Sequence, residues 1–254
     1  MIASVHFADV GARSALSIVR KAPKPGQVDG LRNANVALTA PLSAALLGKP
    51  DPGRVALVAF WDDDTALDRF LAGHPLAAKL ADGWHLRLAP LRAFGSWPGL
   101  PSDTPASRAV AHEGPVAVLT MGKLKFTQTR RFLKASAKAE GRALEAPGMI
   151  WASGLARPPF VATCSLWEST RADATYAFGR GEPAHAEAIT ESEVKPFHHQ
   201  QAFIRFRPYG SVGHLDGRNP LPATWEPAPS QQPALRESAD VDPHSAMRRL
   251  ERGE

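Results

Sequence analysis

The side chains with the widest range of chemistry in this sequence are nine histidines and one cysteine, Cys164. A neutral imidazole can bind a metal ion or move a proton, whereas a thiolate can act as a nucleophile or a metal ligand. A single cysteine cannot form an intrachain disulfide, and no Cys/His cluster has the spacing of a zinc ribbon. The sequence also lacks a Gly-rich phosphate loop, a G-x-S-x-G elbow and an H-E-x-x-H motif. Among the common catalytic motifs, none is present.

The histidines with a distinctive setting lie in the second half of the chain. His185 has Glu182 and Glu187 close in sequence, and either carboxylate could orient its imidazole. His198 and His199 stand just before the last predicted strand. Because adjacent residues of a strand point to opposite faces, at most one of them can face a given site.

Two arginines alternate along that last strand, so Arg205 and Arg207 share one of its faces. They could bind an anionic group, although a structural ion pair or a solvent-facing position is the plainer interpretation. Arg87 is the counterpart of Arg205 in the first half. Cys164 alternates with apolar neighbours and is interpreted as a small buried residue.

These residues belong to an internal repeat. The run from Val55 to Asp62 is similar to the run from Val161 to Glu168, and each is a β-prone segment that ends in Trp and an acid. A threonine that could cap a helix follows each run, at Thr65 and at Thr170. The sequence therefore predicts two copies of one structural unit.

Both halves predict the element order βαββαβ, which is the ferredoxin-like unit. The first half predicts strands at 2–7, 36–42, 55–61 and 85–91, with helices at 12–21 and 65–80. The second predicts strands at 115–125, 149–156, 160–167 and 202–206, with helices at 127–144 and from 170 to about 190. We expect an α+β fold in which the tandem ferredoxin-like repeats pack sheet against sheet, forming an intramolecular dimeric α+β barrel.

The predicted organisation has four parts. Residues 1–96 form the first half, 97–114 a Pro-rich linker, 115–213 the second half and 214–254 a Pro-rich polar tail. Trp225 is expected to pin part of the tail to the body.

Composition narrows the classes of function. With 44% hydrophobic and 22% charged residues in 254, the chain is globular rather than disordered. Its net charge of +5 is spread out, and the densest basic group lies on the helix at 127–144 without interleaved aromatic residues, so nucleic acid is not an expected partner. No segment predicts a signal peptide or stable membrane insertion, and a cytoplasmic location is expected.

An ordered series of short segments resembles the spheroidene monooxygenase family. The segments are residues 115–120, 131–132, 147–148, 165–168, 184–189 and 202–206. The resemblance covers most of residues 1–210 and is clearest in the second half. It implies a haem-containing dimeric α+β barrel, whose named member oxygenates an acyclic carotenoid to a ketone.

The resemblance also implies roles for the residues above. Haem b would need one axial iron ligand, for which His185 is the first choice, and Ala77 at the equivalent place in the first half implies a single haem site. His198 or His199 could be a distal acid/base, or the ligand if His185 is not. Arg205 would be a distal cationic donor, Arg207 would hold a propionate, and Trp151 and Phe203 would line the cavity.

The predicted function is that of a haem-dependent monooxygenase. Its apolar, carotenoid- or isoprenoid-like substrate would lie in a cavity between the two sheets, and a ferredoxin-type electron donor could dock on the basic helix. Two alternatives stay open: a haem-dependent, dehydratase-like enzyme on the same barrel, and a non-enzymatic barrel that binds haem or a small ligand. The Pro-rich tail and the pair His198-His199 depart from the family pattern, so the identity of the substrate is not predicted. The oligomeric state is not predicted either.

Overall fold

The computed structural model describes residues 1–43, 51–106, 112–178 and 196–221. In the first half the elements are β1 (Ile2–Asp9), α1 (Ala12–Arg20), β2 (Leu31–Pro41), β3 (Asp51–Trp61), α2 (Asp64–Gly73), α3 (Pro75–Leu80) and β4 (Trp84–Gly95). In the second half they are β5 (Val116–Leu124), a 3-10 turn (Phe126–Gln128), α4 (Thr129–Glu145), β6 (Met149–Arg157), β7 (Phe160–Trp167), α5 (Thr170–Phe178) and β8 (His198–Gly213).

The eight strands close into one antiparallel barrel in the order β1-β3-β2-β6-β7-β5-β8-β4. Each half contributes four neighbouring strands in the ferredoxin-like order, β4-β1-β3-β2 and β8-β5-β7-β6. Two seams join the halves, where β2 pairs with β6 and β4 pairs with β8. The predicted α+β barrel built from tandem repeats is confirmed.

Side chains fill the inside of the barrel. Alternate residues of the strands point inward, and the inward set forms one continuous apolar cluster. Phe7, Trp84 and Phe206 are among its largest members, and each is fully buried. The prediction of a substrate cavity between the two sheets is therefore wrong, because a barrel of eight strands is narrow enough for its own side chains to occupy the interior.

The outer face of the first half is covered by α1, α2 and α3. Ile18, Leu67 and Phe70 of these helices pack on outward residues of β2 and β3 in a second buried cluster. The α2 cap is Asp63, whose carboxylate accepts a hydrogen bond from the Ala66 amide, rather than the predicted Thr65. The single helix predicted at 65–80 is two helices, because Pro75 cannot continue α2 and instead starts α3.

Other differences from the sequence prediction lie at the joins. Strand β8 begins at His198, so the two adjacent histidines lie within the strand and not before it. Trp97, in the predicted linker, is buried against Phe160. Leu215, which opens the predicted tail, is buried in the barrel cluster. Trp225 lies outside the described residues.

In the described residues, no helix combines the length and the apolar character needed to cross a membrane.

Candidate functional site

The outer layer of the second half is packed far less completely than that of the first. Of the seventeen residues of α4, only Ala137 and Ala143 are buried. The apolar side chains of Phe132 and Leu133 are half-buried, and Leu144 is 54% exposed. The helix therefore stands away from the sheet.

Beneath α4, the outer face of the sheet carries small side chains. Thr163 of β7 lies between Gly154 of β6 and Thr120 of β5, and all three are half-buried. A Cβ added at Gly154 would meet only the Ala40 carbonyl oxygen, at 3.4 Å. We call this face, made by Thr120, Ala152, Gly154 and Thr163, the cradle. It offers a flat, weakly polar surface on which a planar apolar group could lie.

His198 lies at one end of the cradle, beside Gly122. Its Nδ1 lies 3.3 Å from the amide oxygen of Gln201, while its Nε2 is buried without a hydrogen-bond partner in the described part of the chain. The ring of Phe132 on α4 meets the imidazole edge-on, with centroids 5.2 Å apart. Burial lowers the pKa of His198, and the nearby Lys125 cation acts in the same direction. The side chain is thus a neutral imidazole with one nitrogen oriented and the other unused.

The two arginines of β8 point to the same outer face, as predicted, but differ in their partners. Arg205 forms a buried ion pair with Asp173 of α5, and both side chains are 8% exposed. Arg207 is half-buried and forms no ion pair with any residue that the structure describes. Arg205 thus fastens α5 to the sheet, and Arg207 remains the cation available to an anionic group.

The other predicted pocket residues fall on two sides of the sheet. Phe203 lies on the outer face beside Thr120, is 38% exposed and packs on Phe94. Trp151 points into the barrel, with its ring edge-on to Phe7 and Trp84. The structure therefore brings Phe203 and His198 to the cradle and leaves Trp151 on the far side of the sheet. Arg207 lies on the outer face but farther along β8, beyond the pair of Phe206 with Ala117.

Two further candidates, His199 and Cys164, do not reach the cradle. His199 is exposed. Cys164 is fully buried inside the barrel, where burial raises the pKa of its thiol to about 12. His185 lies outside the described residues. Within the described ranges, no group of three or more His, Cys, Asp and Glu side chains could hold a metal ion.

An open cleft of about 460 Å³ separates the C-terminal end of α4 from α5. It is lined by Arg142, Glu145, Ala146, Pro147, Ala172, Thr175 and Tyr176. The Tyr176 hydroxyl donates a hydrogen bond of 3.0 Å to the Ala139 carbonyl, and its ring stacks on Trp167. The cleft shows that α4 and α5 do not meet along their whole length.

Several of these features were missed in the sequence. The small residues at alternate positions, 152 and 154 on β6 and 163 and 165 on β7, were a visible signal that this face carries no bulky core. Gln201 gave no signal, because only the pairing of β8 with β5 brings its amide beside His198. Arg142 of the cleft was not singled out either.

The first half shows what the equivalent layer looks like without a cradle. His6 lies on the outer face of β1, where its Nε2 is 3.0 Å from Ser4 Oγ. Its ring stacks on His85, and Phe70 covers it from α2. His6 is 2% exposed, so this histidine has a structural role.

Comparison with known proteins finds relatives of one kind. The chain is 27% identical over 191 residues to spheroidene monooxygenase of Cereibacter sphaeroides, a match that covers 73% of this chain and 58% of that protein. It is 30% identical over 176 residues to the protein of the same name from Rubrivivax gelatinosus, covering 67% of this chain and 66% of the relative. A third, from Rhodobacter capsulatus, is 27% identical over 180 residues, covering 68% and 74%. The chain thus spans between 58% and 74% of the length of these relatives.

No family model matches the chain. Among solved structures, aldoxime dehydratase is similar with a TM-score of 0.46 and 10% identity, covering 82% of this chain and 80% of that one. A haem-degrading enzyme from Listeria monocytogenes has a TM-score of 0.28 and 13% identity, covering 79% and 98%. The fold assignment rests on the strand order of the chain itself.

Proposed function

Because this chain is a relative of the spheroidene monooxygenases, we propose that it is a haem-dependent monooxygenase that acts on an apolar, carotenoid- or isoprenoid-like substrate at the cradle. The observation that carries the proposal is the difference between the two halves. The first half closes its outer layer with buried apolar side chains, whereas the second leaves a face of small residues beneath a helix that stands away from it. A site of this kind in a natural protein is best explained by a bound group.

The residues at the cradle fit a haem. Small side chains at Gly154 and Ala152 leave room for a flat macrocycle, and the buried, unpartnered Nε2 of His198 is a polar atom that lacks a ligand. Arg207, and Arg142 at the cleft, are cations on the same side of the sheet that could face propionates. When bound, haem b would supply the iron at which dioxygen is activated.

We propose that His185, or failing it His198, would hold the haem iron. If His185 holds the iron, His198 would act as the acid/base: its imidazole would accept a proton at Nε2, while Gln201 and Phe132 hold the ring in place. The ion pair between Arg205 and Asp173 holds α5 against the sheet and so helps to exclude water from the cradle. Phe203, beside Thr120, would contact the apolar substrate.

The electron donor would be a ferredoxin-type protein that docks on the exposed basic residues of α4, among them Arg130, Lys134 and Lys138. Reversing the charge of Lys134 and Lys138 should slow electron transfer and flatten its dependence on salt. Unchanged rates in the double variant would place the docking surface elsewhere.

The proposal is tested first by titrating the purified protein with haemin and recording the absorption spectrum. A saturable Soret band is expected, and Gly154→Leu should weaken binding at least about tenfold by filling the cradle. Gly73→Leu is the matched control, because a Cβ at Gly73, in the first half, would meet nothing within 4 Å. Equal binding by both variants, or no band at all, would overturn the assignment of the site.

Single substitutions then separate the roles of the histidines. His185→Ala should shift or abolish the band if His185 is the ligand, whereas His198→Ala should keep the band and lose turnover. Loss of the band in His198→Ala alone would make His198 the ligand. Activity is assayed with spheroidene, dioxygen and a reduced ferredoxin. The expected first product is an alcohol, heavier than the substrate by one oxygen atom, and a second hydroxylation at the same carbon followed by loss of water would give the ketone.

A further inference from the structure

The imidazole of His198 occupies a niche that depends on a glycine in the neighbouring strand. A Cβ built at Gly122 would overlap the ring at both Cδ2 and Nε2. Gly122 has no positive φ, so its backbone conformation does not require a glycine. The glycine at position 122 therefore leaves the space that the His198 ring occupies.

The second wall of the niche is Gln201, which lies directly opposite Gly122 in the pairing of β5 with β8. Its amide oxygen lies 3.3 Å from Nδ1 of His198. An amide oxygen can only accept a hydrogen bond, so Nδ1 must carry the hydrogen in the neutral ring. The lone pair then lies on Nε2, the atom that is buried without a partner among the described residues.

The remaining walls come from the entry to β8 and from α4. Phe197 is buried beside the histidine, with centroids 6.3 Å apart, and Phe132 reaches it from the helix. The ring thus has apolar contacts on two sides, glycine backbone on a third and a single hydrogen-bond partner. None of the described residues around the niche forms a hydrogen bond with Nε2.

We propose that Gly122 and Gln201 are positioning residues that fix His198 in the Nδ1–H tautomer, so that Nε2 is permanently presented as a bare proton acceptor or ligand atom at the cradle. The role given to Nε2, as proton acceptor or ligand atom, rests on the proposed function. The tautomer itself is a property of the haem-free protein, so it is tested apart from any activity.

The test is NMR of haem-free, full-length protein labelled with ¹⁵N-histidine, with the His198 signals assigned by their loss in His198→Gln. We expect wild-type His198 to show the hydrogen on Nδ1, and Gln201→Leu to show a mixture of tautomers or the other one. Gln200→Leu is the matched control, because the neighbouring Gln200 pairs with Lys123 and faces away from the niche. It should leave the tautomer unchanged.

The glycine is tested in the same spectra. Gly122→Ala should shift the His198 ring signals and abolish their magnetisation transfer to Phe132, whereas Gly154→Ala, on the nearby strand, should change neither. A hydrogen on Nε2 in the wild-type protein, or His198 signals indifferent to both Gln201→Leu and Gly122→Ala, would overturn the inference. Failure of haem to bind would contradict the proposed function but would not affect the result for the tautomer.

In the haem-loaded enzyme, Gln201→Leu should lower kcat about tenfold or more while KM for spheroidene stays within about twofold. A purely structural role would instead lower the fraction of active protein and leave kcat per bound haem unchanged. That second pattern would contradict a positioning role for Gln201.

Discussion

A buried histidine that stays neutral makes the stability of a protein depend on pH, and His6 is such a residue. Burial lowers its pKa to about 3, and electrostatic interactions with His85 and Arg87 act in the same direction. In the unfolded chain the His6 imidazole binds a proton near pH 6.5, whereas in the folded chain it stays neutral until the pH is close to 3. The folded state therefore loses stability as the pH falls from 6.5 towards 3.

We expect the free energy of unfolding to fall by about 1.4 kcal/mol per pH unit between about pH 6 and pH 4 through His6 alone. Urea unfolding at a series of pH values measures this slope. His6→Gln should reduce it by that amount, whereas His199→Gln, at an exposed position, should leave it unchanged. Parallel slopes for wild type and His6→Gln would show that another group carries the pH dependence.

The thiol of Cys164 should be inert in the folded protein. It is fully buried inside the barrel, and burial raises its pKa to about 12, so almost no thiolate forms near neutral pH. A thiol reagent such as DTNB at pH 8 should label less than about a tenth of the native protein in an hour and one equivalent after unfolding in urea. Rapid labelling of native protein would contradict this and make the Cys164 thiolate a candidate ligand of haem.

At the scale of elements, each half fastens a helix to its last strand with an arginine, but in different surroundings. Arg205 and Asp173 are both buried, whereas Arg87 pairs with Asp64 and Asp68, which are 49% and 61% exposed. Breaking a buried pair leaves a charge without water or a partner, while an exposed pair is easily replaced by solvent.

Asp173→Ala should therefore cost about 3–5 kcal/mol of folding free energy, and Asp68→Ala no more than about 1 kcal/mol. Denaturant unfolding of the two variants makes the comparison. The double variant Asp173→Leu/Arg205→Leu should recover most of the loss, because it removes both charges. Equal costs for the two single variants would mean that the pair in the second half is as well hydrated as its counterpart.

The element order was predictable from the sequence because each strand–helix unit occurs twice. In each copy the apolar residues follow the strand period in the strands and the helix period in the helices. Strand β8 was underestimated, since His198 to Gln201 are polar and show no strand pattern. Their extended conformation is imposed by pairing with β5. The niche of His198 could not be foreseen either, because Gly122 and Phe132 meet the histidine only through the pairing of β8 with β5 and the packing of α4.

At the scale of the whole molecule, periodicity predicted the helix at 127–144, and Phe132 of that helix contacts His198. It could not predict the distance between that helix and the sheet, because an apolar stripe shows which face is covered and not what covers it. The repeat likewise predicted two equal halves, while their unequal outer layers emerge only from the side chains of β6 and β7.

The unequal layers predict unequal protection from hydrogen exchange. In haem-free protein, amides of α4 should exchange at least about tenfold faster than those of α1 and α2, because few buried contacts hold α4 in place. Adding haemin should slow exchange in α4 and leave α1 unchanged. Mass spectrometry of exchanged peptides measures both. Equal protection of the two layers before haemin is added would contradict the loose packing described here.

The two closed seams of the barrel have a consequence for how such a protein can change over generations. Because β2 pairs with β6 and β4 pairs with β8, backbone hydrogen bonds connect the well-packed first half to the second half and stabilise its sheet. Substitutions in the cradle then alter the shape offered to a ligand without drawing on the core that keeps the chain folded. The first half thus stabilises the fold, while the second carries the face at which the ligand is proposed to bind.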